Sequence, residues 1–371
     1  MGYLDRVDAP GRKKLLALDG GGIRGVMTLE ILRSMEQMLR SELDRPDLVL
    51  GDYFDYIAGT STGAIIAAGL AKGMTADELQ TLYVEHGRDM FDHAFLLERW
   101  RSKYQDTRLR ALLQRTLGPD TTLGDADLKT LLMIVLRNAT TDSPWPLSNN
   151  PRAKYNDRSR PDCNLNLPLW QLVRASTAAP TFFPPEQVSL GRDFLFVDGG
   201  VTMHNNPSFQ LFLMATHPAY RLGWPTGVDN MLVVSVGTGA AAKADDNLKP
   251  GKMNVLFNAT SIPAALMSAA SNEQDLLCRV FGDCRYGAWL DREVQDLRAT
   301  PHWLVAPHFA YVRYNAELTR SGLAQLGLGT IRPEDVQRMD SIKHIADLRT
   351  VGAAAAATSV DRAHFAGFLD T

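Results

Sequence analysis

The sequence predicts an α/β protein: a mainly parallel central sheet covered by helices on both faces. Two observations predict it. Short apolar runs of strand length alternate with longer stretches of helical periodicity, the pattern of parallel strands joined by helical crossovers. Strand-like runs also lead into glycine-rich turns, at Asp19-Gly20-Gly21-Gly22, Gly59-Thr60-Ser61-Thr62-Gly63, Asp198-Gly199-Gly200 and Gly237-Thr238-Gly239. Ligands of open α/β sheets bind at such strand ends. A chain of 371 residues accommodates two domains or one large one, and no clean boundary divides it.

Taken in order, Lys14 to Leu18 suits a buried strand. A helix is expected from Val26 to about Leu43, because Val26, Leu29, Leu32, Leu39 and Leu43 fall near one face. Asp44-Arg45-Pro46-Asp47 ends it. The run Tyr53 to Ala58 reads as the strand before the serine turn, and Ala64 to Leu70 as the helix after it. Thr75-x-x-Glu78 is a capping box that opens a helix to about Met90. Residues 91–117 read as two helical pieces, with Phe91, Phe95, Trp100 and Tyr104 at roughly helical spacing. Such stripes pack inward more often than they face lipid, so a core face is expected.

Leu131 to Leu136 is a buried strand. Residues 141–161 are rich in Pro, Asn, Asp, Ser and Arg, and read as a long loop within the domain. A helix follows from Leu169 to Ser176, ended by Thr177-Ala178-Ala179-Pro180. Phe194 to Val197 is a strand running into Asp198, and a helix follows Asn205-Asn206-Pro207. Met231 to Val236 is the next strand. Beyond residue 250 the pattern is mostly helical, with one strand at Phe309 to Arg313.

Composition narrows the function. A hydrophobic content of 45% and a charged content of 22% are ordinary for a globular chain. A net charge of -3 gives no electrostatic case for a nucleic-acid polymer or a strongly anionic membrane. Cys163, Cys278 and Cys284 are too few for a disulfide framework and fit no zinc spacing, which favours a reducing compartment. The first residues carry no apolar signal-peptide core, and Arg6 breaks the myristoylation pattern. No apolar run approaches the roughly 20 residues a membrane span needs. A cytoplasmic protein with at most peripheral membrane contact is expected.

The chemistry centres on G-x-S-x-G at 59–63. A serine on a sharp strand-to-helix turn presents its hydroxyl at a helix N-terminus, where a developing anion is favoured. A glycine-rich turn with an incidental serine would give the same pentapeptide. Ser61 needs a base to take its proton and donors for the oxyanion. The loop Gly20-Gly21-Gly22, after a strand and opening a helix, can supply unobstructed N–H groups. The N–H of Thr62 could supply another.

Gly20, Gly22 and Gly25 also match the dinucleotide fingerprint G-x-G-x-x-G. That reading requires an acidic residue about 20 positions on, at the end of a second strand. Asp44 lies near that distance, but in a turn after a helix. Of the eight histidines, none sits in a recognisable triad context. His204 is the nearest to a site and reads equally well as a polar turn residue. Asp198 is better placed as a base: it ends an apolar strand and precedes two glycines. A solvated Asp-Gly turn is its plain alternative.

Three motifs in this order, DGGGIRG at 19–25, GTSTG at 59–63 and DGG at 198–200, resemble the patatin-like phospholipase family. RASTAAPTFFPP at 174–185, VDGGVTMHNNP at 197–207 and GTG at 237–239 are similar to it as well. The resemblance covers roughly residues 13–240 and implies a patatin-like three-layer catalytic core there. Residues 241–371 are then expected to be a mostly helical extension packed on the same domain. The resemblance implies that Ser61 is the nucleophile and Asp198 its base, in a dyad without histidine. It implies an oxyanion hole of Gly20, Gly21 and Gly22, with Arg24 and Gly25 completing that loop.

The implied reaction is hydrolysis of fatty acyl esters of membrane phospholipid or lysophospholipid through an acyl-serine, with no cofactor and no metal. An acyltransferase could use the same acyl-serine, and a scaffold could keep the fold without turnover. Ala265 to Trp289 also resembles the C-terminal part of certain bacterial patatin-like proteins, some of which are phospholipase effectors of anti-phage systems switched on by cyclic nucleotides; an enzyme gated by a cyclic-nucleotide activator is therefore an alternative.

Overall fold

In a computed structural model, residues 2–91, 99–180, 183–240, 255–291, 293–298 and 305–369 are described, with backbone alone over 99–106 and 255–264. Among them the strands are β1 (Lys13–Leu18), β2 (Tyr56–Thr60), β3 (Leu131–Asn138), β4 (Ser143–Ser148), β5 (Glu186–Ser189), β6 (Asp193–Asp198), β7 (Met231–Val236), β8 (Asp283–Tyr286) and β9 (Ala310–Tyr314). The helices before β4 are α1 (Tyr3–Asp8), α2 (Gly25–Glu42), α3 (Leu50–Tyr53), α4 (Thr62–Ala71), α5 (Ala76–Phe91) and α6 (Arg99–Leu117). Those after it are α7 (Leu169–Ser176), α8 (Ser208–Thr216), α9 (Val255–Phe281), α10 (Arg320–Gln325), α11 (Pro333–Val336) and α12 (Ile345–Ser359).

The strands form one sheet in the order β5-β6-β3-β2-β1-β7-β9-β8, with β4 paired to β3 off that path. The pairs from β3 through β2, β1, β7 and β9 to β8 are all parallel; the pairs of β3 with β4 and β6, and of β5 with β6, are antiparallel. Every residue of β2, β7 and β9 is buried. Their near-continuous apolar runs are what a strand covered on both faces requires. Helix α4 lies on β1, β2 and β3, while α8 lies on β1, β2 and β7 and carries α9. On α4 this burial is total, so its run Ala64-Ile65-Ile66-Ala67-Ala68 has no polar face.

Several expectations change. The run from Tyr53 is not all strand: residues 50–53 close a helical turn and β2 starts at Tyr56. The stretch 141–161 is not all loop, since β4 occupies Ser143–Ser148. Pro144 and Pro146 hid it. Alternate prolines fit a strand at a sheet edge, where their missing N–H faces away from the partner. Among the described residues beyond 250 there are two strands, β8 and β9, which continue the sheet past β7, and α12 packs along α2. Of the aromatic stripe, Phe91 is half-buried against Tyr83, with ring centres 5.8 Å apart. Phe95 and the side chains of Trp100 and Tyr104 lie outside the described residues.

One feature of the register positions the site. Strand β3 has two edges, and β4 takes one of them along residues 133–138. The other is shared: β2 pairs as far as Thr60 opposite Val135, and β6 takes over with Asp198 opposite Leu136. The ends of β2 and β6 therefore meet side by side, arriving from opposite directions.

Candidate active site

Ser61 follows directly from the end of β2 and caps α4 with φ 54 and ψ -121. A non-glycine residue there is strained, and such strain is held only where the surroundings over-determine it. Those surroundings are visible. The Ser61 N–H donates to Ser176 Oγ at 2.9 Å, and that hydroxyl donates to the Val135 carbonyl at 2.7 Å. The turn can tighten because Gly59 and Gly63 touch: a Cβ on Gly59 would sit 2.1 Å from the Gly63 carbonyl oxygen.

Ser61 Oγ donates to Asp198 Oδ2 at 2.7 Å. The other carboxylate oxygen, Oδ1, accepts from the Gly200 N–H at 2.6 Å. Asp198 is 5% exposed. Burial pushes its pKa up to about 6, opposed by the Ser61 and Gly200 hydrogen bonds and by the nearby Arg174 guanidinium. The carboxylate is thus ionised at neutral pH and is poised to take a proton.

The glycine loop lies beside this pair. A Cβ on Gly20 would be 3.3 Å from Ser61 Cβ. The Gly20 N–H, however, is committed to the Asn205 carbonyl at 3.0 Å. The Gly25 N–H turns back onto the carbonyls of Gly22 and Ile23. Arg24 is buried, and its guanidinium reaches the carbonyls of Gly21, Gly239 and Gln337 at 3.4–3.5 Å, tying the loop down. Among the described residues, the N–H groups of Gly21, Gly22 and Thr62 have no acceptor. The glycines are required by close approach: a Cβ on Gly21 would sit 2.1 Å from Thr238 Oγ1, and one on Gly22 2.3 Å from the Met339 carbonyl. Thr238, in the Gly237-Thr238-Gly239 turn, donates to the Gly20 carbonyl at 2.9 Å.

The other candidates are placed elsewhere. Asp44 sits at φ 49 just past the far end of α2, and the 18 residues of that helix separate it from the glycine loop by about 27 Å. That geometry removes the dinucleotide reading. His204 is buried, its pKa is pushed down to about 4 by burial, and its Nδ1 has no partner among the described residues. It donates nothing to Ser61 and accepts nothing from it. Among the described residues no cluster of His, Cys, Asp and Glu could hold a metal ion.

Sequence reasoning gave no role to three residues that shape the site. Ser176 and Arg174 lie within the RAST stretch, and that stretch is the signal that could have found them. Arg313 gave none. From β9 it forms a bidentate ion pair with Asp19, at 2.9 and 2.6 Å, both side chains 5% exposed. It also donates to Ser235 Oγ at 2.7 Å.

The arrangement is a strained serine hydrogen-bonded to a buried carboxylate, beside a loop of open N–H groups. It can deliver an alkoxide to a carbonyl carbon and hold the oxyanion that results. Residues 16–212 match the family model for patatin-like phospholipases. A cGAMP-activated phospholipase of Escherichia coli (strain TW11681) is 32% identical over 243 residues, 64% of this chain and 65% of that protein. A protein of the same name from Vibrio cholerae serotype O1 is 30% identical over 61% of this chain and 64% of its own length. Patatin-like protein 2 of Oryza sativa subsp. indica is 31% identical over 302 residues, 71% of each chain. The match thus spans just under two thirds of the bacterial relatives.

Proposed function

The chain belongs to the patatin-like phospholipase family, and on that premise we propose that it is a serine lipid acyl hydrolase. Its substrates are fatty acyl esters of phospholipids or lysophospholipids. The observation that carries the reading is the 2.7 Å hydrogen bond from the strained Ser61 to the buried Asp198.

In the first half-reaction Asp198 takes the proton from Ser61 Oγ as that oxygen attacks the ester carbonyl carbon. The N–H groups of Gly21, Gly22 and Thr62 receive the oxyanion. When the tetrahedral intermediate collapses, the carbon–oxygen bond to the leaving alcohol breaks, and Asp198 returns the proton to that alcohol. In the second half water attacks the acyl-serine, Asp198 takes a proton from it, and collapse returns that proton to Ser61 Oγ with release of fatty acid. Asp198 serves as base and acid in turn, which a pKa of about 6 suits.

Action in the cytoplasm at a membrane surface belongs to the same proposal. The three cysteines support a reducing compartment, since all are buried and unpaired. No described helix is long and apolar enough to cross a membrane.

The test is free fatty acid release from mixed phospholipid vesicles by wild type and Ser61→Ala side by side. Release by wild type alone is expected, with at least a 1000-fold loss in the variant, on the order of what removing a nucleophile costs. Equal release from both would sink the assignment.

A second reading is favoured by the names of the two bacterial relatives: the enzyme is switched on by a cyclic nucleotide. Cyclic dinucleotides titrated into the same assay should then raise the rate. An unchanged rate across a panel that includes cGAMP would remove this reading.

A further inference from the structure

His204-Asn205-Asn206 touches each part of the site from behind. The His204 carbonyl accepts from Thr60 Oγ1 at 2.7 Å, one residue before the nucleophile. The Asn205 carbonyl accepts the Gly20 N–H at 3.0 Å. Asn206 Oδ1 accepts from Ser235 Oγ at 3.2 Å, the hydroxyl that Arg313 also contacts.

The Asn205 side chain is the unusual member. Its Nδ2 donates to Ser271 Oγ, on α9, at 3.0 Å. Its Oδ1 is wedged between two glycines of different motifs. A Cβ on Gly20 would lie 2.4 Å from that oxygen and one on Gly200 2.9 Å. Gly20 opens the glycine loop, and the Gly200 N–H holds Asp198. Oδ1 is buried and has no hydrogen-bond donor among the described residues. An orphaned buried carbonyl lowers stability, so its presence at a site calls for another reason. The geometry supplies one. The carboxamide is a rigid spacer between the loop that receives the oxyanion and the turn that carries the base, and it is braced from behind by α9.

We propose that Asn205 is a positioning residue for acyl transfer: it fixes the gap between the glycine loop and the Asp198 turn, and Ser271 of α9 holds it in place. The inference rests on the reading of Ser61 and Asp198 as nucleophile and base. Asn205 touches no reacting atom. Through Ser271, any displacement of α9 is passed to both halves of the site at once.

The test compares wild type with Asn205→Ala, Ser271→Ala and Ser271→Thr. Two rates are measured: fatty acid release from phosphatidylethanolamine–phosphatidylglycerol vesicles, and covalent labelling of Ser61 by a fluorophosphonate, which reads the site without turnover. Circular dichroism melts fix the folded fraction. Asn205→Ala should lose about 10- to 100-fold in kcat, as a misplacement of order 1 Å does. KM should stay within about twofold, because substrate binding is untouched. Labelling should slow in parallel. Ser271→Ala should move both rates the same way by less, and Ser271→Thr, which keeps the hydroxyl, should restore them.

Wild-type kcat and labelling in Asn205→Ala would overturn the proposal. So would a loss that only tracks unfolded protein, or a raised KM with kcat unchanged. Failure of Ser61 to label in wild type would instead overturn the dyad reading, and this inference with it.

Discussion

At the residue scale the decisive quantity is the proton affinity of Asp198. Burial raises its pKa from 3.8 to about 6. With Asp198 as the proposed base, its protonation below that pH stops it taking the Ser61 proton, so kcat/KM should fall on an acidic limb with a midpoint near pH 6. A limb near pH 4 would mean that Asp198 is solvated in solution. The same shift makes a stability prediction. A carboxyl whose folded pKa is raised contributes stability fully below the ordinary value of 3.8, and that contribution is lost as the pH rises through about 6. At pH 8 the buried charge is therefore a cost of order 2–3 kcal/mol. Asp198→Asn, neutral at every pH, should be more stable than wild type at pH 8 while losing turnover. The gap in Tm should close as the pH falls through 6 towards 4. A pH-independent gap would show that charge burial is not its cause. These consequences were partly legible in advance: Asp198 ends an apolar strand, so burial of its carboxylate could be expected. Its partner, Ser61, lies 137 residues away, so no local pattern pairs the two; that pairing was expected only from the family resemblance.

At the element scale the site depends on two backbone constructions. The first is the strand-turn-helix around Ser61, where Gly59 and Gly63 are in van der Waals contact and a Cβ on Gly63 would also meet the Leu18 carbonyl at 2.3 Å. Backbone cannot move aside as a side chain can. Gly59→Ala should lower stability by about 2–4 kcal/mol in urea unfolding and reduce Ser61 labelling more than folding alone explains. A loss under about 0.5 kcal/mol, the range of an unconstrained surface change, would show that the turn is not tight. The pentapeptide made this construction legible, as Thr75-x-x-Glu78 did for α5, whose reciprocal cap is formed at 3.1 and 2.8 Å. The second construction is the shared edge of β3, which brings β2 and β6 end to end. Nothing local announces it. Strand β4, which occupies the opposite edge, was itself masked by Pro144 and Pro146.

At the scale of the whole molecule, residues beyond 240 are structural partners of the site. Arg313 reaches from β9 to Asp19, at the mouth of β1; the Met339 carbonyl accepts the Ile23 N–H at 2.9 Å; and Ser271 holds Asn205. The Asp19–Arg313 pair is deeply buried; burial alone would lower the Arg313 pKa, but the Asp19 carboxylate beside it outweighs burial and raises it above its ordinary value. Breaking one side of such a pair leaves an uncompensated charge. Arg313→Met should cost about 3–5 kcal/mol, whereas Asp19→Asn with Arg313→Met should recover much of it. Equal losses in the single and double variants would show that packing, not charge, dominates there.

What the sequence determined by itself is what depends on neighbouring residues. Periodicity set most strands and helices, and the spacing of glycines around Ser61 and after Asp198 marked the turns, because steric demands of a tight turn act within a few positions of chain. Tertiary structure decided what depends on distance through space. It placed Asp198 against Ser61 along one edge of β3. It committed the Gly20 N–H to Asn205 and left those of Gly21 and Gly22 open. It joined Arg313 to Asp19 across 294 residues. Those contacts are set by strand order and register, which arise from how all the apolar faces close over one another, and no single segment carries that information.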